Sequence, residues 1–488
     1  MFLGFDIGTS GVKALLIDVD GNIIASSSAS LDVSRPHAGW SEQAPDDWWN
    51  AVNQTAMKLA REHADKMSAV QGIGLSGQMH GMVALDKNDK VLRPAILWND
   101  TRNMSEAAEL DNEFSDYRSI GGNVVMPGFT APKALWMARH EPDLFAQVAT
   151  ILLPKDYVRF LMSGEKISDM SDSAGTLWLD VAARAWSPAL LGHCGLSIEQ
   201  MPKLAEGNAP AGQLRPVIAE TWGIKNTVTI AGGGGDNAAA ACGLGVTSPG
   251  DAFLSLGTSG VVFSVTDSFA PAPAQGAHAF CHALPDTWHQ MGVILAATDC
   301  LNWLSEISNT PVASLMKTIE NNTFSPSPML FHPYLSGERT PHNDATARGG
   351  FFGISRNDNL DDMTRAVLEG VAFAMADAVD VLASADKRPS QLIATGGGAK
   401  SRYWLSLIAA VTECDISIPE NGDFGAALGA ARLGLLASKT YNSDDTAIIL
   451  RKPEIIETIS PDAKIKDALA DRRFQWQQLY RAIKQTLQ

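Results

Sequence analysis

Cysteine is scarce: five residues, Cys194, Cys242, Cys281, Cys300 and Cys414, are scattered through 488 positions with no Cys-x-x-Cys pair. An odd, dispersed set indicates neither a disulfide framework nor a zinc site, and a reducing cytoplasm is the expected compartment. Basic residues are also outnumbered, 38 Lys and Arg against 54 Asp and Glu, for a formal net charge of −16. That surface repels nucleic acid and anionic membranes, so neither is expected as a partner. It also repels a free polyphosphate at long range, so a metal ion and backbone donors in a cleft would have to compensate. No apolar run reaches the roughly 18 residues that span a bilayer. Met1 to Asp6 has no basic stretch and sets an acid inside the apolar segment, which argues against a secretory signal. No Gly-x-Ser-x-Gly elbow and no His/Cys/Asp cluster with zinc-ligand spacing occurs.

What is present is ordinary globular stock, 45% apolar and 19% charged. The length exceeds one compact core and predicts two domains, 1–245 and 246–488, divided where Gly, Ser and Pro cluster at Gly243 to Pro249. Each half opens with the same glycine-hydroxyl turn. The first is Asp6-Ile7-Gly8-Thr9-Ser10-Gly11 and the second Leu256-Gly257-Thr258-Ser259-Gly260. Strand-like residues flank both, Met1 to Phe5 and Val12 to Ile17 for one, Ala252 to Ser255 and Val261 to Val265 for the other. Successive N–H groups in such turns form an anion-binding concavity, and hydroxyls add donors. Either turn alone is a plain hairpin. The repeat points to two turns gripping one polyphosphate.

The N-terminal half reads as strands Phe2 to Ile7, Val12 to Asp18 and Ile23 to Ser28, a helix from Pro45, then a buried strand Val70 to Leu75. The second half repeats this with strands at Ala252, Val261 and Trp288. A long helix from Asp361 to Leu382, a strand Leu392 to Thr395 and a helix Arg402 to Val411 follow. Gln200 to Pro216 reads as a loop or sub-domain joint, and Asp462 to Gln488 as a charged helix. The class is α/β.

Asp6 ends the first strand, where it is either a turn-capping residue or a Mg²⁺ ligand beside the phosphates. Asp236 follows four glycines, Gly232 to Gly235, at a strand-to-helix junction. It is either a helix N-cap or a base that takes the proton of an attacking hydroxyl. Gly396-Gly397-Gly398-Ala399-Lys400-Ser401 follows a strand, is neither a Walker A loop nor a Gly-x-Gly-x-x-Gly fingerprint, and suits a purine and ribose. Gln78-Met79-His80 and Trp98-Asn99-Asp100 with Arg102 combine amide, imidazole, carboxylate, guanidinium and indole groups. Such a mixture suits a polyhydroxylated ligand.

These stretches, with Gly128 to His140 (GFTAPKALWMARH), Gly349 to Glu369, Leu153 to Tyr157, Ser168 to Trp178 and Pro333 to His342, resemble the FGGY carbohydrate kinases. The resemblance covers nearly the whole chain. Two departures stand out: Ala134 replaces a larger apolar residue, and the glycine run before Asp236 is one residue longer. The resemblance implies an actin-like ATPase fold, two ribonuclease H-like domains around a cleft, and ATP-dependent phosphorylation of D-xylulose to D-xylulose 5-phosphate. It implies Asp236 as catalytic base and Asp6 beside Mg²⁺, with Asp236 close enough to share the ion. Met79 and His80 would bind the sugar, with Gln78, Trp98, Asp100, Arg102 and Asn237 around them. ATP would lie on Gly8, Thr9, Ser10, Lys13, Gly257, Thr258, Ser259, Gly397, Gly398 and Ala399. A homodimer is expected. Two alternatives are a kinase of another ketose or polyol, such as ribulose, gluconate, fuculose or glycerol, and an actin-like nucleotide switch.

Overall fold

A computed structural model describes residues 1–320, 324–420, 425–438 and 445–487. The first sheet is built from β1 (Phe2–Ile7), β2 (Gly11–Ile17) and β3 (Ile23–Ser30), an antiparallel meander. Helix α1 (Pro45–Glu62) has Pro at its start and Asp46 and Asp47 in its first turn, where the helix dipole favours acids. Its Trp48, Val52, Ala56 and Leu59 are fully buried in one core with Leu3, Phe5, Ile7 and Val12. Emptying the Trp48 site to Ala would cost about 3–5 kcal/mol. Strand β4 (Gly72–Gly77) lies parallel to β1, beyond it come β6 (Thr229–Ala231) and the edge strand β5 (Pro210–Gln213). The order is β3-β2-β1-β4-β6-β5.

Residues Gln200 to Pro216 are thus more than a loop. Lys203–Ala205 pairs with Ile167–Asp169, and β5 closes the sheet edge. Pro210 and Gly212 hide this strand from a sequence reading, yet an edge tolerates both because its outer N–H groups need no partner.

After helix α2 (Asp236–Leu244) the plan repeats. Strands β7 (Ala252–Leu256), β8 (Gly260–Thr266), β9 (His278–Cys281) and β10 (Trp288–Ile294) precede the long helix α3 (Leu360–Ala385). Then come β11 (Gln391–Thr395), α4 (Arg402–Thr412), β12 (Asp415–Pro419), α5 (Gly425–Ala437), β13 (Ile455–Ile459) and α6 (Ala463–Leu487). Reading from β10, the order is β10-β8-β7-β11-β12-β13, with β9 outside β10. Each parallel and antiparallel pairing of the first sheet has its counterpart in the second.

Two helices cross between lobes. Leu244 and Ala241 of α2 pack with Phe253, Phe263 and Ile393 of the second sheet. Ala427, Leu428 and Ala431 of α5 pack with Phe2, Leu15 and Ile17 of the first. They meet so closely that a Cβ on Gly429 would sit 1.7 Å from the Ala239 carbonyl oxygen, and α5 lies as near to β4, where one on Gly74 would sit 1.8 Å from the Ala430 carbonyl oxygen. Only glycine allows this approach. Packing and chain order therefore divide the molecule differently at these two helices.

Candidate active site

Both glycine-hydroxyl turns face one crevice. A cavity of about 300 Å³ between the lobes is lined by Asp6, Gly8, Thr9, Gln78, Met79, His80, Trp98, Asp236 and Asn237 from the first lobe. Ser259, Val261, His278, Phe280, Met291, Val293 and Arg339 come from the second. Ser10, Gly257 and Thr258 belong to the same two turns without lining the cavity. Lys13 stands opposite Asp6 in the β1–β2 register, and its charge opposes the upward push that burial gives the Asp6 carboxyl. Ser76, beside Asp6 on β4, donates its hydroxyl to Asp6 Oδ1 at 3.2 Å.

Asp236 is the first residue of α2, and Gly235 holds the cap position. Its Oδ1 accepts from the Asn237 backbone N–H at 2.7 Å and from Asn237 Nδ2 at 2.9 Å. Burial pushes its pKa up to about 6, and the nearby Asp6 charge adds to the push. A carboxylate so raised is a better proton acceptor at neutral pH.

The glycine run explains itself here. Gly233 has φ +76°, and a Cβ on it would stand 2.1 Å from the Leu75 carbonyl oxygen. A Cβ on Gly235 would press within 2.9 Å of Met79 Sδ. Behind the run, Arg159 donates to the carbonyls of Ala231 and Gly232, and Ser171 Oγ accepts the Gly235 N–H at 3.1 Å. Arg159 pairs with Asp156 inside a fully buried ion cluster. There Lys155 Nζ reaches Asp156 and Asp169 at 2.6 Å and Asp172 at 3.3 Å. Breaking one such partner leaves a buried charge uncompensated, so the cluster fixes geometry more than it adds stability.

His80 has φ +70°, a strained value for a residue with a Cβ. Its carbonyl is pinned by Lys133 Nζ at 2.8 Å and Thr130 Oγ1 at 3.1 Å. Its Nδ1 faces the Gly175 carbonyl at 2.7 Å, and since a carbonyl only accepts, Nδ1 carries the hydrogen. Burial, with the Lys133 charge, pulls the pKa down to about 3. The ring is neutral and keeps a lone pair at Nε2 for a ligand hydroxyl.

Other expected sugar groups are committed elsewhere. Gln78 lines the cavity, yet its Oε1 accepts from Thr9 Oγ1 at 2.8 Å and its Nε2 donates to Gln43 Oε1 at 2.9 Å. Trp98 Nε1 donates to Thr9 Oγ1 at 3.0 Å. Asp100 and Arg102 do not line the cavity. Asp100 is fully buried, bonded to the Ser41 N–H at 2.6 Å and to Arg102 Nη2 at 2.7 Å. Arg102 also meets Glu42 at 2.7 Å and lies 3.6 Å over the Trp40 ring. Both charges are spent on each other, which short-range sequence spacing cannot show.

A second cavity of about 350 Å³ lies under Gly397, Gly398 and Lys400, with Thr298, Leu301 and Met316 in its wall. Its apolar floor beneath a glycine turn suits a flat base. Ala399 is turned from it and packs against the core of the second lobe. The sequence reading missed Thr298 here and Arg339, His278 and Phe280 in the first cavity. The one sequence signal for Arg339 was its place in the stretch Pro333 to His342, which no spacing ties to Asp236.

Residues 1–243 match the N-terminal domain of the FGGY family of carbohydrate kinases, and residues 252–438 match its C-terminal domain. The chain belongs to this family. The kinase is 45% identical to the xylulose kinase of Escherichia coli (strain K12) over 487 residues, 99% of each chain. It is 47% identical to the xylulose kinase of Klebsiella pneumoniae, over 95% of each. A crystal structure described as a "xyloylose kinase" from Brucella ovis superposes with a TM-score of 0.97 at 50% identity, covering 99% of both chains. The duplicated sheets around a cleft are the actin-like two-domain fold of these kinases. Among the described residues, no helix is long and apolar enough to cross a membrane.

Proposed function

We propose that this carbohydrate kinase transfers the γ-phosphoryl group of ATP to the 5-hydroxyl of D-xylulose, with Asp236 as general base. The carrying observation is one cavity shared by the Asp236 carboxylate, the neutral His80 ring and residues of both glycine-hydroxyl turns. The identity to xylulose kinases, 45% over essentially full length, supports the choice of sugar.

Asp236 takes the hydroxyl proton as the acceptor oxygen bonds to phosphorus. The bond from phosphorus to the β-phosphate oxygen breaks, and ADP carries off that electron pair. N–H and hydroxyl donors of the two turns oppose the negative charge that spreads over the transferred group. Crevice walls from both lobes exclude water, the competing acceptor. The adenosine lies in the second cavity, under Gly397 and Gly398. Among the described residues no cluster of three or more His, Cys, Asp or Glu is poised for a metal. Asp6 and Asp236, two mutually repelling carboxylates raised by burial, fit Mg²⁺ held largely through water, an ion that would neutralise phosphate charge. A coupled ADP-release assay over D-xylulose, D-ribulose, gluconate, fuculose, rhamnulose and glycerol tests the proposal. D-Xylulose should give the highest kcat/KM, and a higher value for any other acceptor overturns the substrate assignment.

A further inference from the structure

Arg339 differs from the interior arginines that a carboxylate neutralises. Arg93, Arg102, Arg159 and Arg184 each pair with a carboxylate. Arg339 lines the acceptor cavity and has no ion pair among the described residues. Its one side-chain hydrogen bond runs from Nη1 to His278 Nε2 at 3.1 Å. Among the described residues the remaining guanidinium N–H groups have no hydrogen-bond partner, which leaves them available as donors to a ligand in the cavity.

The orientation of this guanidinium is fixed from the opposite lobe. Asn123 Nδ2 donates to the carbonyls of Gly121 at 2.9 Å and Ala279 at 3.1 Å, so its Oδ1 is the atom facing His278 Nδ1 at 2.8 Å. His278 therefore carries hydrogen on Nδ1 and offers the Nε2 lone pair to Arg339. The Arg339 backbone is equally determined. Its N–H donates to Glu338 Oε1 at 2.7 Å, and Thr340 bonds reciprocally with Val293 on β10.

The guanidinium lies toward the sugar end. Across the lobes His80 meets Phe280, and Phe129 meets His278 and Phe280, with ring centroids 5.6 to 6.4 Å apart. The Arg339 charge adds to the downward pull that burial exerts on the His80 pKa.

We propose that Arg339 is an acceptor-binding residue, positioned by His278 and Asn123, that donates hydrogen bonds to the oxygens remote from the hydroxyl being phosphorylated. On a 2-ketose these are the C2 carbonyl and C1 hydroxyl. This rests on reading the cavity as the acceptor site. The contact brings a donor of the second lobe directly onto the sugar.

Arg339→Ala and Arg339→Lys are compared with the parent enzyme under separate titrations of acceptor and ATP. The acceptor KM should rise about ten- to a hundredfold in the Ala variant, the loss expected for charged hydrogen bonds, and less in the Lys variant. The ATP KM should stay within about twofold. Added methylguanidinium should restore part of the loss, which a merely structural defect would not allow. The preference for the ketose over the corresponding reduced pentitol should shrink. His278→Gln, which keeps an acceptor for Arg339, should retain more affinity than His278→Phe. An unchanged acceptor KM in folded Arg339→Ala, or equal rises in both KM values, overturns the proposal. Should the parent enzyme prefer another acceptor, the D-xylulose assignment falls, and the same comparison on that acceptor still decides the role of Arg339.

Discussion

The two Gly-Thr-Ser-Gly turns have the same sequence and the same hairpin setting, yet the protein anchors them in opposite ways. In the first turn the Thr9 hydroxyl is occupied, donating to Gln78 and accepting from Trp98, while Gln43 holds the Thr9 carbonyl at 2.8 Å. In the second, the hydroxyls of Thr258 and Ser259 have no protein partner among the described residues. That turn is held by backbone instead. Thr298 donates its N–H and hydroxyl to the Gly257 carbonyl at 3.0 and 2.8 Å, and Ala297 N–H reaches the Thr258 carbonyl at 2.7 Å. Gln78 and Trp98 line the acceptor cavity, whereas Thr298 lines the cavity under Gly397. One turn is thus tied mechanically to the proposed sugar end and the other to the proposed nucleotide end. A duplicated motif has kept its backbone and diverged in what it reports to.

The largest effect on this division should come from the carboxylate between the turns. Asp236→Ala should lower kcat by about a hundred- to ten-thousandfold, the usual contribution of a positioned base. ATP binding by titration calorimetry should stay within about threefold, since neither turn is touched. A kcat near that of the parent removes Asp236 as the base.

The anchors come next. Gln78→Leu frees Thr9 and should raise the acceptor KM and lower kcat, each by about tenfold, the loss of one or two buried hydrogen bonds. Thr298→Val should raise the ATP KM by about three- to tenfold and leave the acceptor KM alone. Steady-state titration of both substrates checks the pair. If either variant moves both constants equally, the turns are not separately tied.

The pH dependence is subtler. With Asp236 near 6, kcat/KM should fall about tenfold per pH unit below that value. Asp6→Asn removes one cause of the elevation and should shift the inflection downward. A pH-rate profile that inflects at the same point in both proteins shows the two carboxylates to be uncoupled.

Stability offers the smallest signal. A carboxyl raised in the folded state binds its proton more tightly there than in the unfolded chain. Ionisation therefore destabilises the fold progressively as pH rises from about 4 to about 6. Asp236→Asn should match the parent's Tm near pH 4 and exceed it by about one to three degrees above pH 6. A thermal melt with the reverse pH trend contradicts a raised carboxyl.

Much of this was legible in the chain. Strands Phe2 to Ile7 and Ala252 to Leu256 are short apolar runs closed by turn residues, and α1 announces itself by Pro45, two acids and a helical apolar stripe. The edge strand Pro210–Gln213 was hidden because local Pro and Gly signals read as loop, while its strand character comes from a neighbour at Thr229–Ala231. For the site, Asp6, His80 and Asp236 were visible as polar residues at strand ends. Asp100 and Arg102 have equally polar neighbours, and only packing against Trp40 and Glu42 turns them into a buried pair.

The sequence by itself determined the periodic elements, the two glycine turns and the acids beside them, because these depend on residues within one or two turns of chain. The tertiary structure alone decided which of those residues share a crevice. It also set the exchange of α2 and α5 between lobes and the approach of Arg339 to His80 from some 260 positions away. Such contacts follow from how two sheets and their crossing helices close on each other, and no local pattern encodes that distance.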